Sequence, residues 1–220
     1  MDLATPGARG RRPGRDRAVR DARLLGRLPG RLVDRAAMQA AIRAFLQALG
    51  ERFDHDDLEA TPERVARAWA EDLVSGYGVD PAGELTWTPV APGGGPVLVR
   101  GMRFASVCVH HLLPFFGRAH VAYLPAGRQA GLSKLGRVVD AHARRLQTQE
   151  RLTQQVLATL LEVLEPRAAL VLIEAEHTCM SLRGVRKEGA AMVTLATGGG
   201  YETDAAARRE IVELLRADVR

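Results

Sequence analysis

The chain has 220 residues, is 46% hydrophobic and carries a formal net charge of +5, enough for one domain with a sizeable core, or one domain and an appendage. No apolar run approaches the roughly 18–20 residues of a membrane span, and Arg11-Arg12 is followed by more Arg and Pro rather than by the apolar stretch of an export signal; no membrane partner and a cytoplasmic location are therefore expected. The basic character belongs to one segment: residues 1–35 hold ten Arg and four Asp, while the other 21 basic and 22 acidic residues nearly cancel.

Residues 1–35 are thus expected to be a disordered Arg-rich tail, too poor in apolar surface to fold alone. Such a tail touches nucleic acid only non-specifically, and no specific nucleic-acid partner is expected. Residues 36–95 read as an N-terminal helical region and connector. Ala37, Ala40, Ile42, Phe45, Leu46 and Leu49 recur at helical spacing before Gly50. Thr61-Pro62-Glu63 reads as a helix start, a capping hydroxyl followed by Pro and an acid, for a helix running to about Ser75. Residues 79–95, rich in Pro and Gly, read as a connector.

The body spans 96–220. Strands are expected over 97–99, 105–109 and 115–123, then helices over about 133–146 and 150–164. A buried strand follows over 168–175, a weaker one over 189–196 and a terminal helix over 204–215. Strands, two helices, then strands is not an alternating βαβ order; it points to an α+β fold with a mainly antiparallel sheet.

The chemistry concentrates in Cys108-Val109-His110-His111 and His177-Thr178-Cys179. Two cysteines far apart in a reducing compartment are apolar fillers or metal ligands. Cys108 and His111 have the spacing that lets two side chains reach one ion from a turn, and Cys179 completes a Cys2His set. Three protein ligands and an open position characterise catalytic zinc, whereas structural sites close with four. His110 and His177 are each candidates for a fourth ligand or for a proton carrier. Gly131-Leu132-Ser133-Lys134, with Arg137 one turn on, offers free N–H groups and cations suited to phosphates. Gln149-Glu150 opens the next helix, where the acid is a capping group or a partner for a guanine's ring N–H and amino group. Arg183 adds positive charge near the metal candidates.

Taken together, CVHHLLPFFGRAHVAYLP (108–125), GLSKLGRVVD (131–140), QERLTQQ (149–155) and HTCMSLRGVRK (177–187) resemble the GTP cyclohydrolase I family, and TPERVARAW (61–69) is similar to its N-terminal helical element. The resemblance covers about residues 36–217. It implies a tunnelling fold (T-fold): an antiparallel sheet with two packed helices, preceded by N-terminal helices, with 96–220 as the catalytic domain. It further implies a homo-oligomer, a decamer of two stacked pentamers with active sites between subunits. Zinc falls to Cys108, His111 and Cys179, and proton transfer to His110 and His177. Glu150, with Gln149, falls to the guanine; Ser133, Lys134, Arg137, Arg183 and Arg64 fall to the ribose and triphosphate. The implied reaction opens the guanine of GTP at C8, releases formate and yields 7,8-dihydroneopterin triphosphate for tetrahydrofolate synthesis. Departures stand out: Val109 replaces a Glu common in the family, Gly189-Ala190-Ala191-Met192-Val193 is poorer in Thr and Ser than the family's usual version, and Gly198-Gly199-Gly200 reads as loosened.

Overall fold

The computed structural model describes residues 33–51, 56–91 and 93–216. The Arg-rich tail expected over 1–35 lies outside the described residues up to position 32.

Helix α1 (Arg35–Ala48) starts where Asp34 accepts a hydrogen bond from the Ala37 N–H at 2.9 Å, the usual way to satisfy an orphan donor. Helix α2 spans Thr61–Ala68 with Pro62 in its first turn. Two sequence expectations fail here. Thr61 is the first helical residue rather than the cap. The helix also does not run unchanged to Ser75: Trp69–Leu73 is a π-helix and Ser75–Gly78 a 3-10 turn. The cause is a close approach at Gly76, whose N–H donates to Arg144 O at 2.9 Å. A Cβ there would lie 2.5 Å from Ala141 O, and Arg145 clasps the turn by donating to Gly76 O and Val79 O, both at 2.9 Å. The backbone widens and then tightens to reach that contact. The 79–95 connector is also more ordered than its composition suggests. It contains a short helical turn, Pro81–Glu84, and strand β1 (Trp87–Pro89), which pairs with β4 (Arg128–Ala130).

The central sheet comprises β2 (Val97–Cys108), β3 (Pro114–Leu124), β5 (Leu146–Gln147), β6 (Ala168–His177) and β7 (Ala191–Gly199), in the order β5-β2-β3-β6-β7. All neighbours are antiparallel except β5 with β2. The two expected strands over 97–109 are one strand with a bulge between Val99 and Met102, where Gly101 takes a φ of 70°. Helices α3 (Leu132–Ala143) and α4 (Gln149–Leu164) cover one face. Their Leu135, Val138, Leu152 and Leu160 join Val121, Val171 and Ile173 in the main core. On the other face, Ile211 and Leu215 of α5 (Ala205–Arg216) pack with Leu170, Leu172 and Tyr201. The result is the α+β arrangement expected from the element order, a mainly antiparallel sheet with two helices on it.

The glycine run closing β7 is tight, not loosened. A Cβ at Gly198 would meet the Leu161 side chain at 2.6 Å. Gly199 has a φ of 62°, and a Cβ there would lie 2.5 Å from Arg167 O. Only glycine takes that conformation without strain.

A buried polar chain fastens α3 to α4. His142 is fully buried. Its Nε2 lies 2.9 Å from Thr159 Oγ1, whose hydroxyl donates to Gln155 O at 3.1 Å. Thr159 therefore accepts and His142 Nε2–H donates. Gln147 donates to His142 O and to Gln155 Oε1 at 2.9 and 2.7 Å. Burial first, and then the Arg145 charge, pushes the His142 pKa down to about 3 from the ordinary 6.5. Between those values the unfolded chain binds a proton that the folded chain refuses. Stability is therefore complete above 6.5 and falls as the pH drops toward 3. A His142→Gln variant should flatten this acid limb by up to one proton, about 1.4 kcal/mol per pH unit, read from urea midpoints across the pH range.

Candidate metal centre

Strand β2 ends at Cys108, and the chain reverses through residues 109–113 into β3. The turn is closed by Leu112 N–H to Cys108 O and Cys108 N–H to Leu113 O, both 2.9 Å. Leu112 takes a φ of 55°, an uncommon left-handed conformation for a branched side chain. The turn brings His111 back over the strand end, with Nδ1 3.6 Å from Cys108 Sγ. Val109 anchors the same turn through its backbone N–H, which donates to Gln147 O at 2.9 Å.

The third ligand candidate arrives from β6. That strand ends at His177, and a single helical turn, Thr178–Ser181, follows. Thr178 Oγ1 donates to Pro114 O at 2.6 Å, tying the turn to the start of β3. The ligand atoms of Cys108, His111 and Cys179 consequently lie within 4.8 Å of one another, and no other group of three such residues converges among the described residues. Burial, followed by the neighbouring Cys108, pushes the Cys179 thiol pKa up, and the Arg183 charge opposes this. A dication seated among the three donors would remove that penalty. Two sulfurs and an imidazole nitrogen form a donor set that fits zinc and leaves a fourth position open.

The two remaining histidines differ in setting. His110 is exposed and edge-on to His111, ring centroids 6.2 Å apart. His177 lies flat on the buried Phe115, 4.5 Å between centroids and 3° between planes. Its Nε2 is 2.9 Å from Gln149 Oε1. Burial lowers its pKa, and the Glu150 carboxylate acts in the opposite sense. Glu150 is exposed beside it, whereas the Gln149 side chain is 1% exposed.

Of the expected phosphate contacts, Arg183 lies near Cys179, and those on α3 sit elsewhere. Helix α3 is fastened at its C-terminal end by Ser106, whose hydroxyl donates to Ala143 O at 2.6 Å, two residues from Cys108. Ser133 and Lys134 are at the opposite end of that helix, roughly 15 Å away at 1.5 Å per residue. Arg137 pairs with Glu84 at 3.5 Å. Arg64 is exposed on α2. The structure therefore gathers Cys108, His110, His111, Gln149, Glu150, His177, Cys179 and Arg183 at one end of the sheet, and Ser133, Lys134 and Arg137 away from it. Sequence reading missed Phe115 and Thr194. Strand parity carried the signal for both: Phe115 pairs with His177 and Thr194 with Ile173 on the helix-covered face.

The family model for GTP cyclohydrolase I matches residues 38–216. Among curated relatives, GTP cyclohydrolase 1 of Streptococcus pyogenes serotype M49 (strain NZ131) is 45% identical over 175 residues, covering 79% of this chain and 90% of the relative. GTP cyclohydrolase 1 of Streptococcus thermophilus (strain CNRZ 1066) is 47% identical over 172 residues, covering 78% and 91%. Among solved structures, the apo form of the archaeosine synthase QueF-Like matches with a TM-score of 0.42 and 19% identity, over 49% of this chain and 97% of that one.

Removing one of three donors should cost more metal affinity than the ~10–100-fold that follows loss of an outer hydrogen-bond partner. Cys179→Ala is expected to lower zinc content, measured by mass spectrometry of the purified chain, from stoichiometric to a small fraction while the circular dichroism spectrum is kept.

Proposed function

The chain belongs to the GTP cyclohydrolase I family, and from that premise we propose that it hydrolyses GTP to 7,8-dihydroneopterin triphosphate and formate, with zinc on Cys108, His111 and Cys179. The observation that carries this reading is the convergence of those three donor atoms within 4.8 Å, with His110, His177 and Glu150 beside them.

Bound zinc supplies the Lewis acidity that makes a water nucleophilic near neutral pH. The chain's own residues do the rest. Glu150 accepts from the ring N–H and the amino group of guanine and so selects a purine with that edge. His177 exchanges a proton with the imidazole portion of the purine. His110, exposed and free to reorient, assists opening of the ribose. Ser133 and Lys134 at the start of α3, with Arg137, Arg183 and Arg64, hold the ribose and triphosphate through hydroxyl, backbone N–H and cationic contacts.

The placement of the phosphate contacts supports a homo-oligomer. Ser133 and Lys134 lie about a helix length from the end of α3 that Ser106 fastens near Cys108, so a neighbouring copy is the natural source of that part of the triphosphate clamp. We assign the assembly as a decamer of two pentamers, with 96–220 as the catalytic domain and 36–95 as its helical preface. No described helix is long and apolar enough to cross a membrane. Two cysteines held as free thiols support a reducing, cytoplasmic setting, and the product fits the start of tetrahydrofolate synthesis.

The test is GTP turnover by the zinc-loaded chain, followed by formate release and by pterin fluorescence after oxidation. Turnover should vanish with a zinc chelator and return with zinc. His110→Ala should keep its zinc and lose about 10²–10⁴-fold in kcat. Zinc-loaded protein that leaves GTP intact would refute the assignment.

A further inference from the structure

We propose that Gln149 is a positioning residue for His177: its carboxamide commits the Nε2 proton of the imidazole to the protein and leaves Nδ1 as the nitrogen available to the reacting purine. This goes beyond the assignment of Gln149 as a guanine contact, and its kinetic arm rests on the reaction proposed above.

The orientation of the amide follows from its partners. Nε2 of Gln149 lies 3.0 Å from Ile173 O and 2.9 Å from Met192 O. Backbone carbonyls only accept, so the atom facing them must be the NH2 group. The same nitrogen is 3.1 Å from Thr194 Oγ1. Thr153 Oγ1 donates to Gln149 O at 2.8 Å and lies 2.6 Å from Thr194 Oγ1. With its own proton spent on Gln149 O, Thr153 accepts from Thr194, which leaves Thr194 a lone pair for the amide. Every donor of Gln149 is thus used within the protein.

Only Oε1 remains, and it faces His177 Nε2 at 2.9 Å. A carbonyl oxygen cannot donate, so His177 Nε2 carries hydrogen in every state that keeps this bond. In the neutral ring, Nδ1 is then the bare nitrogen. Phe115, 0% exposed, backs one ring face at 4.5 Å in near-parallel stacking. Amide and aromatic together fix both the plane of the imidazole and which nitrogen is reserved. At 1% exposure and with its polar atoms engaged, the Gln149 side chain has no free group to offer a guanine.

Two measurements test this. The first is nitrogen-15 NMR of the histidine-labelled, zinc-loaded chain without substrate, at about pH 8.5, two units above the ordinary imidazole pKa. The His177 resonances, assigned by their loss in His177→Ala, should show one tautomer with Nε2 protonated. A ring protonated on Nδ1, or a mixture of tautomers, would overturn the proposal. The second is kinetic. Gln149→Leu should lower kcat by about 10–100-fold with less than about a threefold change in KM for GTP, and should cost nothing further in a His177→Ala background. A raised KM with kcat preserved would place the amide on the substrate and overturn the proposal, as would full additivity with His177→Ala. If Gln149→Leu fails to fold, the wild-type spectrum alone decides. If the wild-type chain does not turn over GTP, the reaction assignment falls while the tautomer measurement still decides the role of Gln149.

Discussion

An unbroken antiparallel ladder holds β3 against β6, from Phe115 opposite His177 to Leu124 opposite Ala168. The geometry of the metal end descends from that register. It places the start of β3, just after the Cys108–His111 turn, next to the end of β6, just before Cys179. A slip of one residue would exchange the two faces of β6, sending Val171 and Ile173 out of the main core and His177 off the ring of Phe115. Burial of both faces of β6, Val171 and Ile173 in the main core and Leu170 and Leu172 against α5, therefore also keeps the candidate donor atoms together.

Around that register the buried glutamines Gln147 and Gln149 each bond groups on several elements at once. Gln149 links α4 to β6 and β7 through backbone carbonyls, and hands its remaining oxygen to His177. Gln147 does the same between β5, α3 and α4, while its backbone oxygen takes the Val109 N–H of the metal turn. A half-satisfied network of this kind is costly in a low-dielectric interior, whereas a complete one fixes a single arrangement. The site inherits its rigidity from these connections rather than from the ligands alone. Val109 fits this view: its contribution to the turn is a backbone hydrogen bond to Gln147 O, which any residue but proline makes.

Much of this was legible in the sequence. Cys108-x2-His111 and His177-x-Cys179 name the donor atoms, and the order of strands and helices gives the α+β sheet. The misses have physical causes. The break in the second helix depends on Gly76 meeting the end of α3, a contact almost seventy residues away in sequence that no local pattern encodes. The Gly198–Gly200 run read as slack because glycine is locally permissive; its tightness comes from Leu161 and Arg167, which belong to other elements. That Gln149 is buried while Glu150 is exposed was not legible either, because adjacent residues at a helix start point in different directions. The distance between Ser133 and Cys108 was likewise invisible, because motif order says nothing about which end of a helix faces which end of a sheet.

The claim on which the account turns is that Cys108, His111 and Cys179 are the whole protein ligand set of one metal ion. X-ray absorption at the zinc edge of the zinc-loaded, substrate-free protein addresses it directly. Two sulfurs at about 2.3 Å and one imidazole nitrogen at about 2.0–2.1 Å, with a light non-protein atom in the fourth position, are the predicted shell. A shell with a second imidazole, or with fewer than two sulfurs, would contradict it.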